Sequence, residues 1–173
     1  RSIAFGRRVY VPGDPQGEWT AVAEAVGGQA ITLGRGMATR LNPLDPGPRP
    51  STVREEEEWR RLVWSRRREL LSTLAATALG RRLEAIEHTT LDVALRAATS
   101  AAGDGIPLLP QVVDRLFDPT DDDAAAEATS TERHAEDGRH VAHALRRLVR
   151  GDLAGLFDGP STTAFDPALP MVT

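Results

Sequence analysis

Apolar side chains recur at helical spacing through the middle of the sequence. Trp59, Val63, Leu70 and Leu74 form one apolar stripe along a helix predicted for residues 52–79. Glutamates fill the first turn of this helix and arginines its middle, an order that the helix dipole favours. The pattern therefore predicts a long amphipathic helix.

Three more helices are predicted towards the C-terminus. Their ranges are 83–102, 110–117 and 132–150, and the first of them could break near His88. Between the last two lies the acidic stretch "DPTDDDAAAEATSTE", whose low complexity is typical of a loop or a poorly ordered segment.

The beginning of the chain alternates strand and helix signals. Short strands are predicted at 8–11 and 29–33, with a helix at 18–26 between them. The run Pro-Gly-Asp-Pro-Gln-Gly after the first strand predicts a turn. In this turn Asp14 suits a helix cap and Pro15 suits the first helical position.

These elements predict a mainly α fold with a few short strands, of the α+β class. Two or three short strands lie near the two ends of the chain, the last of them beginning at Met171, and helices lie between. The arrangement is typical of a helical insertion whose flanks belong to a sheet completed elsewhere. A free-standing α+β domain fits the pattern equally well.

Length and composition narrow the class of protein. A chain of 173 residues forms one domain or a piece of a larger one. Its net charge of -4 gives no global basic field for nucleic acid or anionic lipid. No apolar run approaches the roughly 20 residues of a membrane span. No leader sequence is recognisable, so a cytosolic location is expected.

Two residue types are missing, and each absence excludes a kind of chemistry. Without cysteine the chain has no disulfide, thiolate nucleophile or zinc–thiolate site. All 21 basic residues are arginine. A Schiff-base lysine and a GxxxxGK[ST] phosphate-binding loop are therefore both excluded.

Two carboxylates follow the first predicted strand. Asp14 and Glu18 lie in the turn that leads to a helix, where active-site acids are common in open α/β sheets. The same pair also fits a helix cap plus a first-turn acid, a stabilising device worth about 1 kcal/mol. Both interpretations stay open on spacing alone.

The loop "LGRGMATRLNPLDP" is a second candidate. Glycines flank Arg35, so this stretch could approach a phosphate, and Arg40, Asn42 and Asp45 follow closely. The loop matches neither a P-loop nor GxGxxG. An ordinary connection, with turns set by its Asn-Pro and Asp-Pro pairs, is the alternative.

Histidines and arginines give weaker signals. His134, His140 and His143 lie on or near one helix, but a zinc site needs three or four converging ligands and no HExxH is present. We predict no metal site. The glutamates at 55–58 and Glu69 neutralise much of the charge of the arginines at 60–61 and 66–68, which favours a solvated helix face over a nucleic-acid groove.

The stretch "VYVPGDPQGEWTAVAEAVGGQAITLGRGMATRLNPLD" resembles a segment of the conjugative-transfer and type IV secretion ATPases of the HerA/FtsK-like motor superfamily, the segment that follows their Walker A helix. Three linked features carry the resemblance: Asp-Pro-x-Gly-Glu after a strand (14–18), a small pair followed by a strand (27–33), and Asn-Pro-Leu-Asp (42–45). The later helices and "GDLAGLFDGPST" resemble the helical region that this family inserts before its Walker B strand.

The resemblance implies three regions. Residues 1–46 would be a partial α/β nucleotide-domain segment, residues 47–159 a helical subdomain, and residues 160–173 a return to the P-loop-type α/β sheet. The chain departs from the family pattern in lacking Walker A and Walker B, and in having Gln16 where the family often has a basic residue. An excised middle piece of a longer motor is the expectation.

Under this resemblance the nucleotide-binding candidates are Asp14, Glu18, Arg35 and Asn42. No catalytic residue is assigned, because the water-activating acid of such motors is expected beside the missing Walker B strand. ATP and Mg²⁺ would bind the parent protein, and no cofactor is expected in this chain alone.

The function implied is that of a fragment of an ATP-driven motor of conjugative DNA transfer or type IV secretion. The parent would be a homo-hexamer at the cytoplasmic side of the inner membrane, with secretion-channel proteins and DNA as partners. The helical part would be an interaction or coupling surface. Whether the chain is an enzyme is open, and alone it is expected to be inactive.

The alternative is a stand-alone helical protein-interaction domain with no nucleotide role. Two observations separate the hypotheses. One is whether the gene encodes Walker motifs on either side. The other is whether the strands at 8–11 and 29–33 lie side by side.

Overall fold

The fold is mainly helical with a small parallel sheet. The computed structural model describes residues 3–34, 36–151, 153–164, 166 and 168–173. In chain order the principal elements are β1 (Val9–Tyr10), α1 (Glu18–Ala25), α2 (Glu56–Leu79), α3 (Ala85–Ala102), α4 (Leu109–Phe117), α5 (Asp121–Ala126), α6 (Thr131–Arg150) and β2 (Met171–Val172). The predicted class is confirmed. None of the described helices is both long and apolar enough to span a bilayer.

Helices α2 to α6 form a bundle with its own core. Helices α3, α4 and α6 pack against one another, α2 packs along α3 and α6, and α5 closes one side against α3 and α6. The centre is filled by fully buried leucines and valines, including Leu71, Leu95, Leu109, Leu116 and Leu145. Burial of such side chains stabilises a fold by about 1.5–3 kcal/mol each.

The inward face of α2 differs from the predicted stripe. Val63, Leu71 and Ala75 are buried, whereas Leu70 is 39% exposed. The buried positions follow an i, i+4 series whose remaining member is Arg67. The predicted stripe is wrong at Leu70. Arg67 interrupts the apolar pattern on the buried face, so the spacing of apolar residues alone does not indicate that face.

The acidic stretch is ordered rather than a loop. Thr120 and Asp123 form a reciprocal capping box: the Asp123 carboxylate accepts from the Thr120 amide at 2.8 Å, and the Thr120 hydroxyl accepts from the Asp123 amide at 3.4 Å. This pair begins α5, and three aspartates in the first turn suit the helix dipole. Helix α3 also runs unbroken past His88.

The sheet joins three segments from distant parts of the chain. Strands β1 and β2 pair in parallel, with Val9 opposite Met171. On the other side of β2, Gln29 forms a parallel bridge with Val172, and the Ile31 amide donates to the Thr173 carbonyl at 2.8 Å. The predicted strands 8–11 and 29–33 do not lie side by side, so the expectation drawn from the motor hypothesis is wrong on this point. Strand β2 lies between the two segments and joins both into one sheet.

An ion pair between exposed Arg81 and buried Glu87 holds the turn between α2 and α3. Arg81 donates to both carboxylate oxygens of Glu87 at 2.7 Å each, and the Glu84 amide donates to the same carboxylate at 2.9 Å. Chiefly because of the Arg81 hydrogen bonds, and despite burial, the pKa of Glu87 lies below its ordinary value of 4.5. His140 approaches this carboxylate to 4.0 Å.

We expect Glu87→Gln to lower the free energy of unfolding at neutral pH. A depressed folded-state pKa contributes stability above the ordinary value, and that contribution is lost as the pH falls through the folded-state pKa. The gap between wild type and variant should therefore stay constant from about pH 7 to 5 and narrow below that. Urea unfolding at a series of pH values measures the gap.

The control is Glu69→Gln, at an exposed position of α2 for which the described residues offer no ion-pair partner. Its effect should be small at every pH. A Glu87→Gln gap that persisted undiminished well below pH 4 would contradict the assignment.

Candidate functional site

A cleft opens where three parallel segments end. The carboxyl ends of β1, of β2 and of the segment after Gln29 all reach the same edge of the sheet. They enclose a cleft of about 700 Å³, lined by Gly13, Asp14, Pro15, Gln16, Gly17, Thr20, Ala30, Ile31, Thr32, Leu33 and Thr173. Ligands of open α/β sheets bind at this edge, because strand-to-helix turns converge there.

Asp14 is a capping residue at the entrance to α1. Its two carboxylate oxygens accept from the amides of Glu18 at 3.1 Å and Trp19 at 2.9 Å. The helix begins at Glu18, and Gly17 precedes it in a left-handed conformation with φ 72°. Pro15 therefore lies in the turn, not at the first helical position as predicted.

The other predicted carboxylate does not line the cleft. Glu18 is exposed in the first turn of α1, one residue beyond the lining segment. Its position suits the helix dipole. The structure thus brings Asp14 to the cleft and places Glu18 beside it.

Hydroxyl groups dominate the remaining polar lining. Thr20, Thr32 and Thr173 come from three different segments. The Thr173 hydroxyl is buried and has no hydrogen-bond partner among the described residues. A buried polar atom without a partner is uncommon and often marks a site for water or a ligand.

The lining fits only part of a nucleotide. Hydroxyls and the Asp14 carboxylate suit a ligand's hydroxyl groups or the water shell of a metal ion. No arginine occurs among the described lining residues, so no cation faces a triphosphate there. Arg35, the predicted cationic candidate, lies outside the described residues. By itself the described cleft does not fit ATP.

Gly28 lets α1 and β2 approach each other closely. Its amide donates to the Ala23 carbonyl at 2.7 Å. A Cβ on this residue would lie 2.3 Å from the Met171 carbonyl oxygen, closer than real Cβ atoms come. Of the Gly27-Gly28 pair noted in the sequence, the second glycine is thus required by this close packing.

Asn42 lies away from the cleft lining, in a buried hydrogen-bond network. Its side-chain amide donates to the Pro107 carbonyl at 3.0 Å, and its side-chain oxygen accepts from the Leu44 amide at 3.0 Å. Its backbone amide donates to the Ser161 hydroxyl at 2.7 Å. Both polar side-chain groups of Asn42 therefore have partners within the protein. A role in nucleotide binding stays a prediction.

Two connecting segments run together around this network. We call residues 38–46 and 156–163 the neck. The Leu41 amide donates to the Leu156 carbonyl at 2.9 Å, and the Thr162 amide donates to the Arg40 carbonyl at 3.0 Å. The Ser161 hydroxyl donates to the Asp45 carboxylate.

The neck is also bonded to α2. Arg67 donates from Nε to the Leu44 carbonyl at 2.7 Å. Burial lowers the pKa of Arg67, and the nearby Asp45 charge partly opposes this shift. An arginine on the inward face of α2 is thus explained by the carbonyl that it binds.

The predicted histidine and arginine groups form no converging site. His134 is buried, whereas His140 and His143 are exposed. Among the described residues no cluster of three or more ligand-type side chains could hold a metal ion. The arginines of α2 have separate partners: Arg60 pairs with Glu56 in the same helix and Arg68 pairs with Asp92 of α3.

Sequence reasoning missed several residues that the structure brings forward. Thr173 carried no signal, since a single threonine after Met171 and Val172 matches no motif. Ser161 belongs to the "GPST" run, where the hydroxyl pair after a Gly-Pro turn was a usable cue. Arg67 gave no usable signal, because a charged residue in an amphipathic helix predicts an exposed position.

Comparisons with known proteins add one fold relationship. No protein-family model matches the sequence, and no curated protein matches it. Among solved structures, the chain is similar to VirB4 of Thermoanaerobacter pseudethanolicus, with a TM-score of 0.61 and 21% identity. The match covers 98% of this chain and 60% of that one. The chain thus spans about 60% of that protein's length, and at this identity the likeness shows the fold.

We expect Gly28→Ala to destabilise the protein by about 1–3 kcal/mol, the usual cost of overpacking. The added methyl group would meet the backbone of Met171, which cannot rotate away as a side chain would. Denaturant unfolding measures the loss, and hydrogen exchange at the Gln29 and Thr173 amides should quicken.

Gly27→Asn is the matched control. Gly27 has a positive φ that asparagine tolerates, and a Cβ there meets nothing within 4 Å. Its effect should be smaller than that of Gly28→Ala, because asparagine adopts this conformation more readily than most residues. Equal losses in the two variants would contradict the close-approach explanation.

Proposed function

We propose that this chain is part of an ATP-driven motor of type IV secretion or conjugative DNA transfer. The observation that carries the proposal is the fold. Nearly the whole chain matches the fold of VirB4, a type IV secretion ATPase. The sequence motifs at 14–18 and 42–45 resemble the same broad class, and that resemblance does not depend on the fold comparison.

The cleft is the proposed nucleotide-facing part. It lies at the carboxyl edge of a parallel sheet, the usual ligand position in such folds. Asp14 and the threonine hydroxyls would form one wall near a Mg²⁺–nucleotide complex. The cation that faces the phosphates would come from outside the described lining, because the chain has no lysine for a Walker A motif.

The outer face of α1 supports a larger parent protein. Trp19, Val22 and Val26 share one side of this helix and its C-terminal turn, and are 46%, 42% and 37% exposed. Adjacent apolar side chains of this size are usually covered by another part of a protein. In the proposal they pack against further α/β elements of the motor.

The finer assignments belong to the parent motor. We place it in the HerA/FtsK-like superfamily, as a homo-hexamer that binds ATP and Mg²⁺ at the cytoplasmic side of the inner membrane. Secretion-channel proteins would be its partners, and DNA in the conjugative case. The helical bundle would be the interaction or coupling surface.

One observation favours the alternative of a helical interaction domain. The bundle has a core of its own, to which the neck contributes Leu44 and to which the sheet contributes nothing among the described residues. Such a module could act without nucleotide. The second of the two following experiments separates these functions.

The isolated 173-residue chain should hydrolyse no ATP above background. Phosphoryl transfer depends on a phosphate-binding lysine and on Mg²⁺ ligands that a P-loop provides, and this chain has no lysine. Phosphate release with Mg²⁺-ATP measures the activity. If the wild-type chain hydrolysed ATP and Glu18→Gln abolished that activity, the proposal that the catalytic groups lie outside this chain would be contradicted.

In the longer protein, Asp14→Ser should weaken the affinity for Mg²⁺-ATP about tenfold, because the substitution would remove one charge-assisted hydrogen bond to the ligand. Serine has one oxygen where the carboxylate has two, so α1 should lose one capping hydrogen bond and about 1 kcal/mol of stability. Fluorescence of a labelled ATP analogue measures the affinity.

Glu24→Gln is the control for charge, since Glu24 is an exposed α1 residue outside the cleft lining. Equal affinity in Asp14→Ser and wild type would remove Asp14 from the nucleotide site. A gene without GxxxxGK[ST] ahead of this segment would overturn the motor proposal and leave the interaction domain.

A further inference from the structure

The sheet and the helical bundle make few direct contacts. Among the described elements, extensive contacts join members of α2–α6 to one another and β1 to β2, and none joins the two groups. The position of the sheet relative to the bundle must therefore be set by the segments that connect them. Those connections include the two segments of the neck, residues 38–46 and 156–163.

The neck is anchored in the bundle by apolar side chains. Leu44 is fully buried in the bundle core, and Phe157 packs against the same core from the other segment. Each segment thus has one fixed point on the bundle. Apolar contacts are non-directional, so these two anchors alone do not fix the direction in which the neck segments run from the bundle to the sheet.

Directional bonds complete the joint. Ser161 accepts from the Asn42 amide and donates to the Asp45 carboxylate, so one hydroxyl links both ends of the Asn-Pro-Leu-Asp turn to the returning segment. Asn42 reaches Pro107, in the connection between α3 and α4. Arg67 binds the Leu44 carbonyl from α2.

We infer that Asn42, Asp45 and Ser161 form a polar clasp that sets the orientation of the bundle relative to the cleft. The clasp crosslinks the segment that leaves the sheet and the segment that returns to it. Its members share partners, so removal of one takes a hydrogen bond away from the others. These three are positioning residues, and the inference rests on the fold alone, whichever function the parent has.

Charge and packing explain why the clasp is polar. Hydrogen bonds fix direction, and they can be released and remade, whereas an interlocked apolar joint would have to be separated and repacked. Arg67 brings a positive charge close to the Asp45 carboxylate, to which the Ser161 hydroxyl donates. The clasp therefore gives the neck one preferred direction relative to the bundle without further apolar packing between them.

The test uses the full 173-residue chain and takes advantage of its lack of cysteine. Spin labels on cysteines introduced at Glu24 of α1 and Thr73 of α2, both exposed, report the distance across the neck. A second pair, at Thr73 and the exposed Asp122 of α5, reports on the bundle alone. Pulsed electron paramagnetic resonance gives both distance distributions.

Ser161→Ala and Asp45→Ala should each broaden the distribution across the neck. The distribution within the bundle and the helix content by circular dichroism should stay as in wild type. Ser100→Ala, at an exposed position of α3, is the matched control and should leave both distributions narrow.

Two results would overturn the inference. Distributions across the neck that stay narrow in both variants would mean that the clasp does not set the orientation. Broadening of the bundle pair together with the neck pair would mean that these residues hold the bundle itself. Neither result bears on ATP binding, so the failure of the clasp and of the motor proposal can be told apart.

Discussion

The parallel pairing of β1 with β2 is the constraint from which the rest of the architecture follows. The two strands come from opposite ends of the chain, and parallel strands can be joined only by a crossover. Everything between them is therefore crossover: α1, the neck and the whole helical bundle. The cleft exists because this pairing, with the bridge at Gln29, brings three carboxyl ends to one edge.

That constraint separates two kinds of stabilisation. The bundle is held by a continuous apolar core, whereas the sheet is held by a few backbone hydrogen bonds and the close approach at Gly28. Between them the neck combines two apolar anchors with a polar clasp. The Asn-Pro-Leu-Asp turn, considered in the sequence as a nucleotide motif, is thus explained locally as a joint: Leu44 enters the core while Asn42 and Asp45 bind the returning segment.

The sequence predicted what depends on local pattern. Helical periodicity gave α3, α4 and α6 nearly to their bounds, and the turn chemistry after β1 indicated Asp14 as a cap. It failed where a charged residue lies on a buried face, as Arg67 does, or where a capping box organises a run of aspartates, as at Thr120. The clasp was beyond reach, because Asn42 meets Ser161 and Pro107 only once the whole chain has folded.

The separation of β1 and β2 along the chain also bears on the order of folding. The most extensive contacts within the bundle join α4 with α6 and α3 with α4, so they close shorter stretches of chain than the pairing of β1 with β2 does. Closing the sheet requires the two ends of the chain to meet, an entropic cost that falls once the bundle has compacted the chain between them. We therefore expect the cleft to take shape more readily once the bundle between its strands has folded.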